Sequence, residues 1–275
     1  MLIFSFYAII LQLINVSGCN LNKKQKLLNE MIAVYVRDGE PIGSESLKLM
    51  TNIKISSSTI RNYFKILVRE GVLYQPHVSS GRIPTNDTLR IYWRDNINVS
   101  DLLLISNLKN IKMASNKHNI FCNIRLLDEQ ILKDIINFND RYILLIFSSS
   151  EAIIPYSRHL FSFMNDLVNK NIEEIKDTAK NVGLSTLFYK LEALSSKAFN
   201  FGFQFLSDIK SHSLIEEIIN GLIYYRLKNG FYFNLFPDGY LALIQDIKIN
   251  SNYGKMFIFG KLFCNYKDFY EEIAS

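Results

Sequence analysis

One segment of the sequence carries polar side chains of the kind that read nucleic-acid bases. Between Ser56 and Gly71, polar residues recur at helical spacing, and these positions are Ser58, Arg61, Asn62, Lys65 and Arg69. Arg and Asn can each form two hydrogen bonds with one base edge, Arg with guanine and Asn with adenine. A merely solvated helix face has the same pattern. The stripe therefore predicts base reading only together with its surroundings.

The remaining sequence offers no comparable set of reactive residues. Its cysteines and histidines are scattered, and none forms the close pairs of a zinc site; they are Cys19, Cys122, Cys264, His77, His118, His159 and His212. Glycine-rich phosphate loops, a nucleophile elbow and paired carboxylates are also missing from the sequence. We therefore expect a protein that is not an enzyme and that holds neither a cofactor nor a metal.

Two helices are predicted ahead of the polar stripe. Apolar residues at helical spacing predict a first helix over residues 23–36, which Gly39 helps to end. Ser44 is placed to cap a short second helix. This second helix is expected to bury Leu47 and Met50.

The helix with the stripe is predicted to lead into a hairpin. Ser56 caps this third helix, and Gly71 ends it. A strand over residues 72–74, turn residues 76–81 and a returning strand over 82–84 then predict the wing of a winged helix-turn-helix, with Arg82 at the tip of the wing. The order of helix, short helix, turn, helix and hairpin makes DNA the expected partner.

The charge distribution favours the same segment. Thr85 is predicted to cap a fourth helix over residues 86–96, which completes a domain of residues 21–96. That domain holds 12 Lys and Arg against 7 Asp and Glu, whereas residues 97–275 hold 19 of each sign. Excess positive charge suits a polyanion, because Lys and Arg displace counterions from phosphates.

Three runs in this domain resemble the HrcA family of heat-inducible transcription repressors. They are Pro41 to Ser44 (PIGS), Ile55 to Asn62 (ISSSTIRN) and Glu70 to Thr85 (EGVLYQPHVSSGRIPT). The pattern QPHxSxGRIPT in the third run is long and unusual, so the resemblance is specific.

The resemblance implies a function. HrcA proteins repress chaperone operons as homodimers on an inverted-repeat operator called CIRCE, and the GroEL chaperonin modulates them. It also implies that Ser58, Thr59, Arg61 and Asn62 on the third helix and His77, Ser79, Ser80 and Arg82 in the wing contact DNA. The polar stripe adds Lys65 and Arg69 to that set.

The second domain, residues 97–275, is expected to be mixed, which makes the fold class α+β. The sequence predicts a linker over 97–117, paired strands of a central sheet at 141–148 and 152–156, a mainly helical stretch at 158–220, strands at 241–249 and 255–261, and a helix at 266–273. The resemblance implies a GAF-like domain with a helical, dimerising insertion near 170–212. The match is weaker here, since residues 261–265 depart from the family pattern between Gly260 and Tyr266. No convergent polar cluster can be identified from the sequence.

The first twenty residues leave alternatives open. Residues 1–16 are almost entirely apolar but too short for a confident membrane span. They are an artefact of the assigned start, a membrane-associating segment, or a helix packed on the protein; a signal peptide ranks last, because the segment has no positive charge. The protein is accordingly expected in the cytoplasm, with membrane association as a possibility.

Two other functions remain at this point. A small metabolite in the GAF-like domain would make the protein a ligand-gated transcription regulator. A membrane-bound protein would instead use the helix-turn-helix as a protein interface.

Overall fold

The computed structural model describes residues 20–51 and 54–274. The first elements are α1 (Asn20–Asp38), α2 (Ser44–Met50), α3 (Ser57–Arg69), β1 (Leu73–Tyr74), β2 (Ile83–Pro84) and α4 (Asn86–Asn96). The predictions about residues 1–20 lie outside the described residues, except for Asn20, where α1 begins. No helix in the described ranges is long and apolar enough to cross a membrane.

Side-chain caps begin two of the helices where the sequence predicts them. The Ser56 hydroxyl accepts a hydrogen bond from the Thr59 amide at the start of α3, and Thr85 caps α4 in the same way. The prediction that Ser44 caps α2 is wrong, because Gly43 holds that position and Ser44 is already helical. Met50 is 51% exposed rather than buried, since this seven-residue helix turns only Leu47 toward the core.

The strands β1 and β2 pair antiparallel, with Leu73 opposite Pro84. A third short piece of backbone joins them: Ile42 and Arg82 exchange two amide–carbonyl hydrogen bonds of 2.9 Å. Only glycine fits beside this bridge, because a Cβ on Gly81 would lie 2.4 Å from the carbonyl carbon of Ile42. The hairpin is therefore anchored to the chain between α1 and α2.

The rest of the chain is built on a six-stranded sheet. Its strands are β3 (Leu103–Ile105), β4 (Phe121–Leu127), β8 (Ser196–Phe201), β9 (Gly230–Tyr232), β10 (Tyr240–Ile249) and β11 (Asn252–Lys261). Their order is β3-β10-β11-β4-β8, and β9 also pairs with β10. The surrounding helices are α5 (Leu108–His118), α9 (His212–Ile219), α10 (Ile223–Arg226) and α11 (Tyr266–Ala274), with a short 3-10 helix at Phe203–Leu206. The expected linker at 97–117 thus contains β3 and most of α5.

A second unit with its own core is inserted between β4 and β8. It contains β5 (Leu132–Phe138), β6 (Tyr142–Phe147), β7 (Glu151–Pro155), α6 (Arg158–Asn165), α7 (Ile172–Asn181) and α8 (Ser185–Leu194). We call residues 132–194 the inserted unit. Its three strands form a separate antiparallel sheet in the order β5-β6-β7.

The inserted unit corrects two expectations. The prediction that the strands near 141–156 belong to the central sheet is wrong, because they pair only within the inserted sheet. The insertion also begins earlier than the expected 170–212 and includes strands. Conversely, β8 lies within that expected range but pairs with β4 at an edge of the main sheet. An apolar strand has the same sequence pattern in either sheet, so only its pairing partners distinguish the two.

The N-terminal helices and the main sheet share one continuous hydrophobic core. The indole N–H of Trp93 in α4 donates to the Leu262 carbonyl at 2.7 Å, and the Trp93 ring meets Tyr266 edge to face at 5.1 Å. At the surface, Asp238 accepts hydrogen bonds from Asn86 and Arg90. The C-terminal part therefore fixes the orientation of α4.

Candidate nucleic-acid interface

The two faces of α3 differ sharply. Ile60, Phe64 and Leu67 are buried in the core, as predicted from their spacing. The predicted site residues of the opposite face are all exposed; they are Ser58, Thr59, Arg61, Asn62, Lys65 and Arg69. The helix therefore presents hydrogen-bonding and positively charged side chains on one open surface.

Within the described residues, the positive charges of this surface lack acidic partners. Arg61, Lys65 and Arg69 have no carboxylate within 4 Å among the described residues. Basic residues on other helices of the N-terminal part do have partners: Lys24 pairs with Glu70 at 2.7 Å, and Arg90 pairs with Asp87 and Asp238. An unpaired group of cations on a helix is well suited to an anionic partner.

A network of hydroxyl groups surrounds the first turn of α3. The Ser56 hydroxyl shares hydrogen bonds with those of Ser58 at 2.7 Å and Thr59 at 2.9 Å. Ser57 donates to the Glu45 carboxylate of α2 at 2.8 Å, which ties the two helices together. Ser58 and Thr59 therefore stabilise the start of the helix and remain exposed. The sequence did not reveal the role of Glu45, because its partner Ser57 lies twelve positions further along the chain.

The loop of the hairpin, residues 75–82, is shaped by its own side chains. The Ser80 hydroxyl accepts from the His77 amide at 2.9 Å and donates to the His77 carbonyl at 2.8 Å. The Gln75 amide group donates to the carbonyls of Val78 and Ser80 at 2.7 and 3.0 Å. Val78, which is 99% exposed, then projects between His77 and Ser79, both exposed. Ser80 shapes the loop, as does Gln75, which was not among the predicted site residues.

Arg82 lies at the root of the hairpin loop, so its predicted position at the tip is wrong. The backbone bridge to Ile42 holds it there, and its side chain is half-buried. One guanidinium nitrogen donates to the Ser80 carbonyl at 3.4 Å, whereas the buried Nε has no hydrogen-bond partner in the part of the chain that the structure describes. A buried donor without a partner is costly, and a bound anion would satisfy it.

The described part of the chain holds no cluster of three or more His, Cys, Asp or Glu side chains that could bind a metal. Cys122 and Cys264 are both buried and unpaired with each other. Burial raises the pKa of the Cys264 thiol to about 11, so it stays protonated and unreactive at neutral pH.

Comparison with known proteins identifies the family. Residues 93–275 match the model of the HrcA C-terminal domain. A heat-inducible transcription repressor HrcA of Helicobacter pylori (strain ATCC 700392 / 26695) is 31% identical over 260 residues, which cover 94% of this chain and 96% of the relative. This chain belongs to the HrcA family.

Other comparisons cover smaller parts of this HrcA-family chain or show only its fold. A repressor of the same name from Thermotoga maritima is 30% identical over 166 residues, 56% of this chain and 48% of the relative. One from Synechococcus elongatus is 41% identical over 70 residues, 26% of this chain and 20% of the relative. A crystal structure of a hypothetical protein has a TM-score of 0.51 at 18% identity, covering 90% of this chain and 94% of the other, and so has a similar fold.

Proposed function

We propose that this HrcA-family protein represses heat-shock genes by placing α3 in the major groove of an inverted-repeat operator. The observation that carries the proposal is the open polar face of α3, where Arg61, Lys65 and Arg69 have no carboxylate partner among the described residues. Relatives named as heat-inducible transcription repressors support the regulatory role. A repressor acts on the chromosome, so we place the protein in the cytoplasm.

In this proposal residues 21–96 form a winged helix-turn-helix. Arg61 and Asn62 read base edges, whereas Lys65 and Arg69 contact phosphates on either side of the groove. Ser58 and Thr59 lie at the N-terminus of α3, where backbone amides favour a phosphate. The groove accommodates one α-helix, which leaves the hairpin loop to reach the neighbouring backbone or minor groove.

The hairpin loop contributes contacts of two kinds. His77, Val78 and Ser79 project from it and suit the narrow minor groove. Arg82, at its root, directs a guanidinium group with an unsatisfied Nε toward an anion, which we assign to a backbone phosphate. Ser80 holds the loop in shape.

Binding to an inverted repeat needs two copies of the protein, and the inserted unit supplies a surface for pairing. Ile136, Leu144 and Ile153 lie side by side across the outer face of its sheet, next to Phe138 and Tyr142. Four of these apolar side chains are 42–62% exposed, and they are Ile136, Phe138, Tyr142 and Ile153. An apolar patch of this kind on a sheet suits a second copy of the same sheet, related by a two-fold axis.

The family resemblance adds two partners to the proposal. One is the CIRCE-type inverted repeat, and the other is the GroEL chaperonin as modulator of the repressor. In the same way, we take residues 97–275 as a GAF-like domain that carries the dimerising inserted unit.

The proposal is tested by fluorescence anisotropy of the full-length protein with three labelled duplexes: the inverted repeat, one isolated half-site, and a scrambled duplex of equal length and composition. We expect the inverted repeat to bind at least about 10³-fold more tightly than the scrambled duplex. Equal affinity for the two would contradict the proposal. A second series of the same titrations, with the chaperonin added, measures separately whether the chaperonin changes the affinity for the inverted repeat.

A further inference from the structure

A cavity of about 380 Å³ lies between the main sheet and the inserted unit, away from α3 and the hairpin. This volume is within the range of small-molecule sites. One wall is the sheet, and the other is formed by α7 and α8. The charged side chains that line it are Arg125, Asp246 and Lys255 on the sheet and Glu173, Lys176 and Glu192 on the inserted unit.

The sheet wall carries a net positive charge. Lys255 and Asp246 neutralise each other through an ion pair of 2.7 Å. Arg125 has no carboxylate within 4 Å in the described ranges. The uncompensated charge of this wall is therefore the guanidinium of Arg125.

The guanidinium of Arg125 is held in place by neutral groups. Its two terminal nitrogens donate to the Ser196 hydroxyl at 3.2 Å and the Ile219 carbonyl at 2.5 Å. Gly221, at a φ of +79°, packs against the guanidinium, because a Cβ there would lie 2.6 Å from Nε. Each terminal nitrogen still has a second N–H for a ligand carboxylate.

The opposite wall carries a net negative charge. The Lys176 ammonium, only 4% exposed, lies between two carboxylates, at 2.8 Å from Glu173 and 2.7 Å from Glu192. One ammonium group cannot neutralise both. Tyr225 also donates its hydroxyl to Glu192. Both oxygens of Glu173 accept from Lys176, but this carboxylate is 42% exposed against 10% for Glu192, so its remaining lone pairs are the ones that another cation can reach.

Apolar side chains complete the lining of the cavity. Ile247 is buried, whereas Leu102, Leu127 and Tyr253 are 42–53% exposed. A ligand for this cavity therefore combines a carboxylate, a cation and an apolar part.

We propose that the cavity binds a zwitterionic amino acid with an apolar side chain. Its carboxylate meets Arg125, its ammonium group meets Glu173, and its side chain lies against Leu102, Leu127 and Tyr253. Such a ligand contacts the main sheet and the inserted unit at once and stabilises their contact. This site is separate from the proposed DNA-binding surface, and its test contains no DNA. The amino-acid site and the DNA-binding function can therefore each be refuted without the other.

Isothermal titration calorimetry of the full-length protein tests the site with L-leucine and L-phenylalanine as probes. We expect one molecule of at least one of them to bind per chain. The N-acetyl and amide forms of that amino acid each lack one charge, so both should bind at least about tenfold more weakly.

The matched variants are Glu173→Gln and Glu174→Gln, which change neighbouring glutamates of α7. Glu174 does not line the cavity and pairs with Lys170. Glu173→Gln should weaken binding at least about tenfold, while Glu174→Gln should bind like the wild type. Arg125→Gln should abolish binding, and circular dichroism establishes that this variant is folded.

Three results would each overturn the proposal. The first is that neither amino acid binds. In the second, the N-acetyl or the amide form binds as tightly as the free amino acid, which would show that binding does not require both charges. In the third, the Glu173→Gln and Glu174→Gln variants bind the amino acid with the same affinity.

Discussion

Trp93 of α4 donates its indole N–H to the carbonyl of Leu262, 169 residues further along the chain. Both residues are buried, and the bond joins the N-terminal helices to the main sheet. Since α4 follows directly on β2, this contact also determines where the hairpin and α3 stand relative to the C-terminal part.

Trp93→Phe should lower the free energy of unfolding by about 1–3 kcal/mol, because it leaves a buried carbonyl without its donor and shortens the side chain. Urea unfolding followed by circular dichroism measures this. Tyr92→Phe, at the preceding position, is the control and should lower the free energy of unfolding by less than about 0.5 kcal/mol. Equal effects of the two substitutions would show that the bond to Leu262 does not stabilise the junction.

Arg61→Ala should weaken operator binding by about 1–3 kcal/mol and leave binding to scrambled DNA nearly unchanged. The reason is that Arg61 lies on the open face of α3 and has no carboxylate within 4 Å in the described ranges. Competition anisotropy measures both affinities. Lys109→Ala, an exposed change on α5, is the control and should alter neither. Equal losses on both duplexes would make Arg61 a phosphate contact instead.

Gln75→Ala should weaken operator binding by about 1 kcal/mol while the protein stays folded. The substitution removes the two hydrogen bonds to the carbonyls of Val78 and Ser80, so the hairpin loop loses its fixed shape. The control is Gln25→Ala, at an exposed position of α1. If both variants bind the operator like the wild type, the shape of this loop does not matter for DNA binding.

Local signals in the sequence explain which elements could be predicted. The caps Ser56 and Thr85 and the glycine at position 71, with a φ of +71°, define helix ends through neighbouring residues alone. The apolar and polar faces of α3 follow from spacing in the same way.

Contacts between distant residues explain what the sequence did not reveal. The tip position expected for Arg82 is wrong, because the backbone bridge to Ile42 holds Arg82 at the root of the hairpin loop. Val78 is the residue that projects from the loop instead. The charged cavity was missed because Arg125 comes from β4 and Glu192 from α8. No spacing rule connects these positions.

Acid should weaken the contact between α5 and α11. The hydrogen bond from Lys117 and a second one from His118 lower the pKa of Glu272 below its usual 4.5. A lowered folded-state pKa stabilises the protein above the unfolded pKa, and that contribution is lost as the pH falls through the folded value. Glu272→Gln should therefore be less stable than the wild type at pH 7, with a difference that shrinks below pH 4.5. Thermal unfolding across this pH range measures it; a constant difference would contradict the assignment.

Ile136→Glu should convert the protein from dimers to monomers. The substitution places a charge at the β5 end of the apolar row formed with Leu144 and Ile153, where burial in a dimer would cost several kcal/mol. Sedimentation equilibrium gives the mass. The control is Met113→Glu on α5, where the apolar side chain is 61% exposed against 42% for Ile136, and this variant should remain dimeric. Monomers should also bind the inverted repeat no more tightly than a single half-site, since the α3 of a second copy is no longer tethered. A dimeric Ile136→Glu protein would place the interface elsewhere, whereas a monomeric one with unchanged operator affinity would separate dimerisation from DNA binding.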